Sequence, residues 1–231
     1  MRVLALDLST KTGWAVLDEQ EPPVGALWEY GLFEMSFFPE DYKELKYPFN
    51  YIEAAKRFAI DLAELVRSKN PDVIVIEETN PGRETYSQKL LEFLHCSLLR
   101  ALFGLNVQYV RTGAWRKVMD LRMSKQDLKG NQRKNLEKAK KKAKEIRTVI
   151  KAFGTKKANS DQVVELKQQL AALQLGRITR KHLAVRMVNQ MFNLNFSLVD
   201  NNQADAILLG VAYIKGAEIC DGLRPKQKKA E

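Results

Sequence analysis

Short hydrophobic runs separated by polar turns occupy the first part of the chain. The run Val3–Leu8 and the run Trp14–Leu17 have the length of strands and flank a polar turn that ends at Gly13. A turn with two prolines follows, and Ala26–Ser36 is predicted to be a third strand. Three strands joined by short turns predict an antiparallel meander at the start of a sheet.

A helix and a buried strand are predicted next. The helix begins at Asn50, where Glu53 three positions later is typical of a capping box. The continuous apolar run Asp72–Ile76 indicates a strand covered on both faces, and it ends in Glu77. The apolar residues of the helix repeat at helical spacing and predict one buried face: Ile52, Ala55, Ala59, Leu62 and Val66.

The segment Glu84–Phe103 is predicted to be a second helix that is apolar on nearly all sides. Such a helix lies either in the core or at a subunit interface, and the pattern is compatible with both. A short strand, Val107–Val110, follows it. Near the end of the chain, a further helix is predicted to begin at Thr179. The segment Val199–Gly210 is predicted to be a helix that is polar in its first residues and apolar in the rest.

Two heptad-like stripes fill the region between these parts. The first runs from Leu136 to Phe153 and the second from Val163 to Leu173, with steps of three and four residues. A polar turn at 154–159 separates them, so an antiparallel helical hairpin inserted at 122–176 is predicted. The two stripes are also compatible with packing against a second subunit.

The positive charge of the chain is concentrated in this hairpin. Residues 122–157 carry fourteen Lys or Arg against three acids, a local balance of +11, while the whole chain has a net charge of +10. One segment therefore holds the whole excess, which is the usual electrostatic footprint of a nucleic-acid partner. The lysines that crowd the first arm away from its stripe are Lys138, Lys140, Lys141, Lys142 and Lys144.

Composition excludes several other classes of protein. No apolar run approaches the roughly 18 residues of a membrane span, and the N-terminus lacks a secretory pattern. Two cysteines and two histidines are too few for a disulfide framework or a zinc site of those residues. A reducing, intracellular setting is expected, which is the cytoplasm.

Three acids stand in otherwise apolar surroundings: Asp7 in the first strand, Glu77 at the end of the fourth, and Asp205 on the last helix. A buried carboxylate is costly unless it is paired or bound to a metal. Carboxylates at the carboxyl end of a central strand lie where open α/β sheets place their sites. Oxygen ligands without His or Cys favour Mg²⁺ or Mn²⁺.

These motifs resemble those of a known family. The strand with Asp7-x-Ser-Thr-x-x-Thr-Gly, the Ile-Glu pair ending at Glu77 and the Ala-Asp-Ala around Asp205 resemble the RuvC-like Holliday-junction resolvases. Within this ribonuclease H-like superfamily the resemblance is strongest to the phage-type members. It implies an α/β fold, a mixed sheet with three antiparallel strands followed by parallel strands and flanked by helices.

The resemblance also implies a homodimer that makes paired nicks in four-way DNA junctions with two Mg²⁺ ions, for which Mn²⁺ can substitute. Asp7, Glu77 and Asp205 would be metal ligands. A fourth ligand usually lies three residues before the last Asp, where this chain has Asn202; Asp200 is the alternative and is favoured slightly for its charge.

Residues outside the acids are expected to contact DNA phosphates, namely Arg111, Arg116, Lys117 and the hairpin lysines. The predicted domains are a nuclease domain of residues 1–121 and 177–221, the hairpin at 122–176 and a basic tail at 222–231. Two alternative functions have the same acids: a nuclease acting on RNA–DNA hybrids or flaps, and a non-catalytic DNA-binding protein.

Overall fold

A mixed sheet of five strands forms the centre of the fold. The computed structural model describes residues 1–19, 26–78, 86–131, 133–152, 163–166, 168–169 and 178–220. The strand order is β3-β2-β1-β4-β5, in which β1 pairs antiparallel with β2, β2 antiparallel with β3, and β1, β4 and β5 are parallel. The predicted fold class is confirmed. The strands are β1 (Arg2–Asp7), β2 (Lys11–Asp18), β3 (Ala26–Glu34), β4 (Val73–Glu77) and β5 (Val107–Val110).

Seven helices have described bounds, and residues 163–166 and 168–169 are helical as well. Short 3-10 turns at Pro39–Asp41 and Leu198–Asp200 precede the first and the last of them. The helices are α1 (Phe49–Ser68), α2 (Tyr86–Ala101), α3 (Thr112–Val118), α4 (Lys125–Gly130), α5 (Arg133–Ala152), α6 (Arg180–Phe192) and α7 (Asn201–Ile214).

The central strands are covered on both faces, as their continuous apolar runs predict. Because side chains alternate along a strand, Leu4 and Leu6 of β1 lie on one face, where they join the core cluster that contains the buried residues of α1 and α2. Ala5 lies on the opposite face. A Cβ added to Gly210 of α7 would come within 3.1 Å of the Ala5 Cβ, so α7 covers that second face.

The start of α1 differs from the prediction. The helix begins at Phe49 with Pro48 as its N-cap, and no side chain caps it. The predicted capping box is wrong, because Asn50 lies inside the helix and is not its N-cap; Glu53 forms an ion pair with Lys56 at 3.0 Å. The Asn50 amide instead donates a hydrogen bond to the Pro39 carbonyl oxygen at 3.4 Å.

Helix α2 is shorter than predicted within the described residues, and only one of its sides is buried. Leu90, Leu94 and Leu98 belong to the core, whereas Leu99 is 42% exposed, and Phe103 just beyond the helix is 93% exposed. The core interpretation is therefore confirmed for one face. The exposed apolar side chains leave the subunit-interface interpretation a prediction.

Burial controls the pKa of one histidine in this helix. His95 is 8% exposed, and its Nδ1 lies 2.9 Å from the Tyr109 hydroxyl oxygen of β5. Loss of hydration on burial disfavours the imidazolium and lowers the pKa of His95 to about 4. His95 is therefore a neutral core residue at physiological pH.

The chain divides into two compact units. One comprises Met1–Asp120 and Ala184–Glu231, and the other Leu121–Leu183. In the second unit, Ser124 caps α4 by accepting a hydrogen bond from the Asp127 backbone N–H at 3.0 Å. Three members of the predicted stripes, Ala143, Ile146 and Val163, are buried.

Other predictions for this region fall outside the described residues. These are the turn at 154–159, the end of the second arm at Gly176 and the basic tail at 222–231. Within the described residues, no helix has the length and apolar composition of a bilayer span.

Candidate active site

Two of the predicted acids are neighbours at one end of the sheet. The parallel register of β1 and β4 runs to the pair Leu6↔Ile76, and Asp7 and Glu77 are the next residue on each strand. Adjacent strands lie about 5 Å apart, and residues in register point to the same face. Asp7 and Glu77 therefore stand side by side at the carboxyl ends of the two central strands, on the face that α7 covers.

The first turn of α7 rests directly on the strand beside Asp7. Gly13 of β2 pairs with Asp7, and a Cβ added to Gly13 would lie 2.0 Å from the Asn202 carbonyl oxygen. The Asn202 side-chain amide also donates a hydrogen bond to the Lys11 carbonyl oxygen at 2.6 Å. Gly13 is thus part of the strand and not the end of the turn, and its missing side chain permits the close approach of the helix.

Asp205 lies three residues beyond Asn202, hence on a neighbouring part of the helix surface. It is half-buried, between the fully buried Ala204 and Ala206. The helix that rests beside Asp7 is therefore the same helix that carries the third acid.

The two candidates for the fourth ligand make different contacts. Oδ2 of Asp200 accepts hydrogen bonds from the Ser197 backbone N–H at 2.8 Å and from the Ser197 hydroxyl at 3.0 Å. This is local capping of the 3-10 turn that precedes α7. Asn202 holds the Lys11 carbonyl, as described above. The identity of the fourth ligand stays a prediction.

Helix α3 contacts the second acid, and the sequence patterns did not indicate this. The Thr112 hydroxyl donates a short hydrogen bond to Glu77 Oε1, and Arg116 Nη2 lies 3.9 Å from the same oxygen. Thr112 and Arg116 are four residues apart, so they share one side of the helix. The Glu77 side chain is 16% exposed and that of Arg116 is 26% exposed. The pair is thus largely withdrawn from solvent.

The Trp115 ring lies against the guanidinium of Arg116. The guanidinium carbon of Arg116 lies 5.0 Å from the centroid of the Trp115 ring, within the range of a cation–π contact. Trp115 itself is fully buried, so it packs inside the protein and presents no face for stacking on a base.

Glu78, the residue after Glu77, interacts with Arg111 and Cys220. Arg111 Nε lies 3.5 Å from Glu78 Oε2, and the Arg111 side chain is 63% exposed. Burial first, and then the Glu78 charge, raise the pKa of the Cys220 thiol. Lys117, the third predicted phosphate contact near the acids, is exposed.

The hairpin lysines lie in the other unit. Each of the five is exposed on α5, in agreement with their predicted position away from the apolar stripe: Lys138, Lys140, Lys141, Lys142 and Lys144.

The donor set can be tested for its fit to a metal ion. The side chains at this edge are carboxylates and an amide, a set of oxygen donors suited to Mg²⁺ or Mn²⁺. In the part of the chain that the structure describes, no three His, Cys, Asp or Glu side chains are gathered into a ready metal cluster. The donor atoms therefore suit magnesium. In this structure the Glu77 carboxylate contacts Thr112 and Arg116 of α3.

No protein-family model matches the sequence, and no curated protein matches it significantly. Solved structures do match the fold. RuvC from Thermus thermophilus aligns with a TM-score of 0.54 at 13% identity, over 95% of this chain and 100% of that one. The same protein, in complex with a Holliday junction substrate, aligns with a TM-score of 0.53 at 13% identity, over 95% of this chain and 99% of that one.

The fold is the ribonuclease H-like fold of RuvC. A further match is the yeast mitochondrial Holliday junction resolvase Ydc2, with a TM-score of 0.47 at 11% identity, over 93% of this chain and 79% of that one. The RuvC alignments cover nearly the whole of both chains, so the similarity in fold is not confined to the sheet.

Proposed function

We propose that this protein is a magnesium-dependent endonuclease that resolves four-way and related branched DNA junctions. One observation carries the proposal: Asp7 and Glu77 are neighbours at the carboxyl ends of the central parallel strands, under the helix that carries Asp205. The RuvC-like fold supports it, and one RuvC structure of that fold is a complex with a Holliday junction substrate.

The three acids would hold the metal ions, with Asp200 or Asn202 completing the site. When bound, two Mg²⁺ or Mn²⁺ ions supply an activated water and stabilise the leaving oxygen of a phosphodiester. The carboxylates of Asp7 and Glu77 stand on neighbouring strands, so their mutual repulsion favours binding of a cation between them. Thr112 orients Glu77 by its hydrogen bond to Oε1.

Basic side chains would position the DNA. Arg111, Arg116 and Lys117 lie on or beside α3, which contacts Glu77, so phosphates bound there would lie near the acids. The five exposed hairpin lysines would neutralise backbone phosphates at a second place. Two copies of the chain would make the paired nicks, because a four-way junction has two symmetric strands to cut.

The origin and setting of the protein are part of the proposal. The motif resemblance to phage-type resolvases supports a phage-type member acting in the cytoplasm, or in the host cytoplasm if it is phage-encoded. The low cysteine content is compatible with a reducing compartment.

The test is a cleavage panel with labelled four-way junction, Y-fork, duplex and RNA–DNA hybrid in Mg²⁺, for the wild type and Asp7→Asn. Preferential cutting of the junction by the wild type, with loss of cutting but near-normal junction binding in the variant, supports the proposal. Preferential cutting of the hybrid would favour the ribonuclease H-type alternative. Binding without cutting by the wild type would favour a non-catalytic DNA-binding protein.

A further inference from the structure

Two side chains of α3 contact the Glu77 carboxylate, which is a proposed metal ligand. Arg116 Nη2 and the Thr112 hydroxyl both contact Oε1 of Glu77, the residue beside Asp7 on the next strand. In the absence of a cation, two neighbouring carboxylates repel each other, and a guanidinium next to one of them reduces that repulsion. A bound divalent cation would do the same and would also repel the guanidinium.

We propose that Arg116 is a positioning residue that acts as a removable counter-ion for Glu77. Its guanidinium neutralises Glu77 while the site holds no metal, and it leaves Glu77 when a divalent cation binds. This inference rests on the proposed function, because it needs Glu77 to be a metal ligand.

Two further contacts suit Arg116 to this role. The Trp115 ring lies under the guanidinium and is itself fully buried, so the arginine has a fixed support that does not depend on Glu77. The distance of 3.9 Å to Oε1 is that of a loose ion pair, longer than the 2.7–2.9 Å of a charge-assisted hydrogen bond. Thr112 keeps Glu77 oriented after the arginine has left.

The proposal predicts the direction in which the Mg²⁺ affinity changes when Arg116 is replaced. Removing the positive charge of Arg116 removes the competitor, so Mg²⁺ should bind more tightly to Arg116→Gln than to the wild type. At this partly screened separation we expect the apparent Kd to fall about threefold to tenfold. By linkage, the variant should be less stable than the wild type without metal, and the gap should narrow at saturating Mg²⁺.

The experiment is a titration of the whole protein with MgCl₂ in the absence of DNA. The melting temperature is measured at each Mg²⁺ concentration and gives the apparent Kd. Arg57→Gln is the matched control, because it removes an arginine from a surface ion pair with Asp61 on α1 and should leave the Mg²⁺ affinity unchanged. Thr112→Val removes a Glu77 contact without removing a charge, so its Mg²⁺ affinity should not rise. Arg116→Lys keeps the charge, and its Mg²⁺ affinity should lie between those of the wild type and Arg116→Gln. The lysine variant also tests the proposal if the glutamine variant folds poorly.

The outcomes separate the two proposals. Tighter Mg²⁺ binding by Arg116→Gln, with no tightening in Arg57→Gln or Thr112→Val, supports the counter-ion role. A wild type that responds to Mg²⁺ together with an Arg116→Gln variant of equal or weaker affinity overturns the counter-ion role and leaves the proposed nuclease standing. Tightening by Thr112→Val to the same extent also overturns it, because loss of a contact would then explain the effect. A wild type that shows no response to Mg²⁺ overturns both.

Discussion

Replacing Gly13 with alanine tests the packing that sets the site. The added Cβ would lie 2.0 Å from the Asn202 carbonyl oxygen, 2.2 Å from the Asn202 carbonyl carbon and 2.7 Å from the Gln203 nitrogen. All three are backbone atoms of the first turn of α7, so no side-chain rotation relieves the overlap. The helix or the strand must move apart by about 1.4 Å to restore an ordinary contact of 3.4 Å.

Two opposing effects set the change in the free energy of unfolding of Gly13→Ala. Overpacking of a well-filled interior costs about 1–3 kcal/mol, and this contact belongs at the upper end because backbone must move. Replacement of glycine by alanine lowers the conformational entropy of the unfolded chain, which stabilises the folded state by about 0.4–1 kcal/mol. We expect Gly13→Ala to lower the free energy of unfolding by about 2 kcal/mol and the melting temperature by roughly 4–8 °C for a chain of this size.

The assay is urea denaturation followed by circular dichroism, with the slope of the transition compared to confirm a similar native state. Gly113→Ala is the matched control, because nothing lies within 4 Å of the Cβ it would add, and alanine is a better helix former by up to about 1 kcal/mol. A Gly13→Ala variant as stable as the wild type would refute the close contact between α7 and β2.

Two further predictions concern charge. Replacing Lys140, Lys141, Lys142 and Lys144 with Gln should weaken junction binding and flatten the dependence of log K on log salt by up to about 3–4, since each phosphate contact contributes roughly 0.9; unchanged affinity across salt would assign the hairpin to subunit or protein contacts. His95 has a folded pKa of about 4, below its unfolded value, so the stability from burying the neutral ring is present above pH 6.5 and is lost as pH falls toward 4. The loss should reach about 3 kcal/mol in denaturation experiments, and His95→Gln should lose less over the same range; an equal loss would show that other groups titrate.

The strands and two of the acids were predictable because their signals are local. The continuous apolar runs of β1 and β4 indicate central strands, and each run ends in an acid that no apolar strand needs. Carboxylates at the carboxyl end of a central strand lie where open α/β sheets place their sites, and the parallel register of β1 and β4 places Asp7 beside Glu77. The predicted class of sheet, three antiparallel strands followed by parallel strands, is confirmed.

The contacts that hold the site were not predictable, because they join distant parts of the chain. Gly13 was interpreted as a turn residue, whereas α7, some 190 residues later, is what requires it. Thr112 reaches Glu77 across 35 residues, and no periodic pattern signals that hydrogen bond. The prediction for the start of α1 failed for a different reason, because the helix begins at Phe49 and Asn50 lies inside it rather than at its N-cap.

The unit that contains the acids is built from two separate stretches of sequence, with the second unit synthesised between them. Asp7 and Glu77 are therefore translated early, while the helix that covers their face of the sheet is translated only after the second unit. A nascent chain, or one shortened by a premature stop codon before Asn201, lacks Asp205 and leaves Ala5 and its neighbours uncovered. On the proposed function, such a product is unable to cut DNA, so cleavage activity is confined to chains whose synthesis has passed the insert.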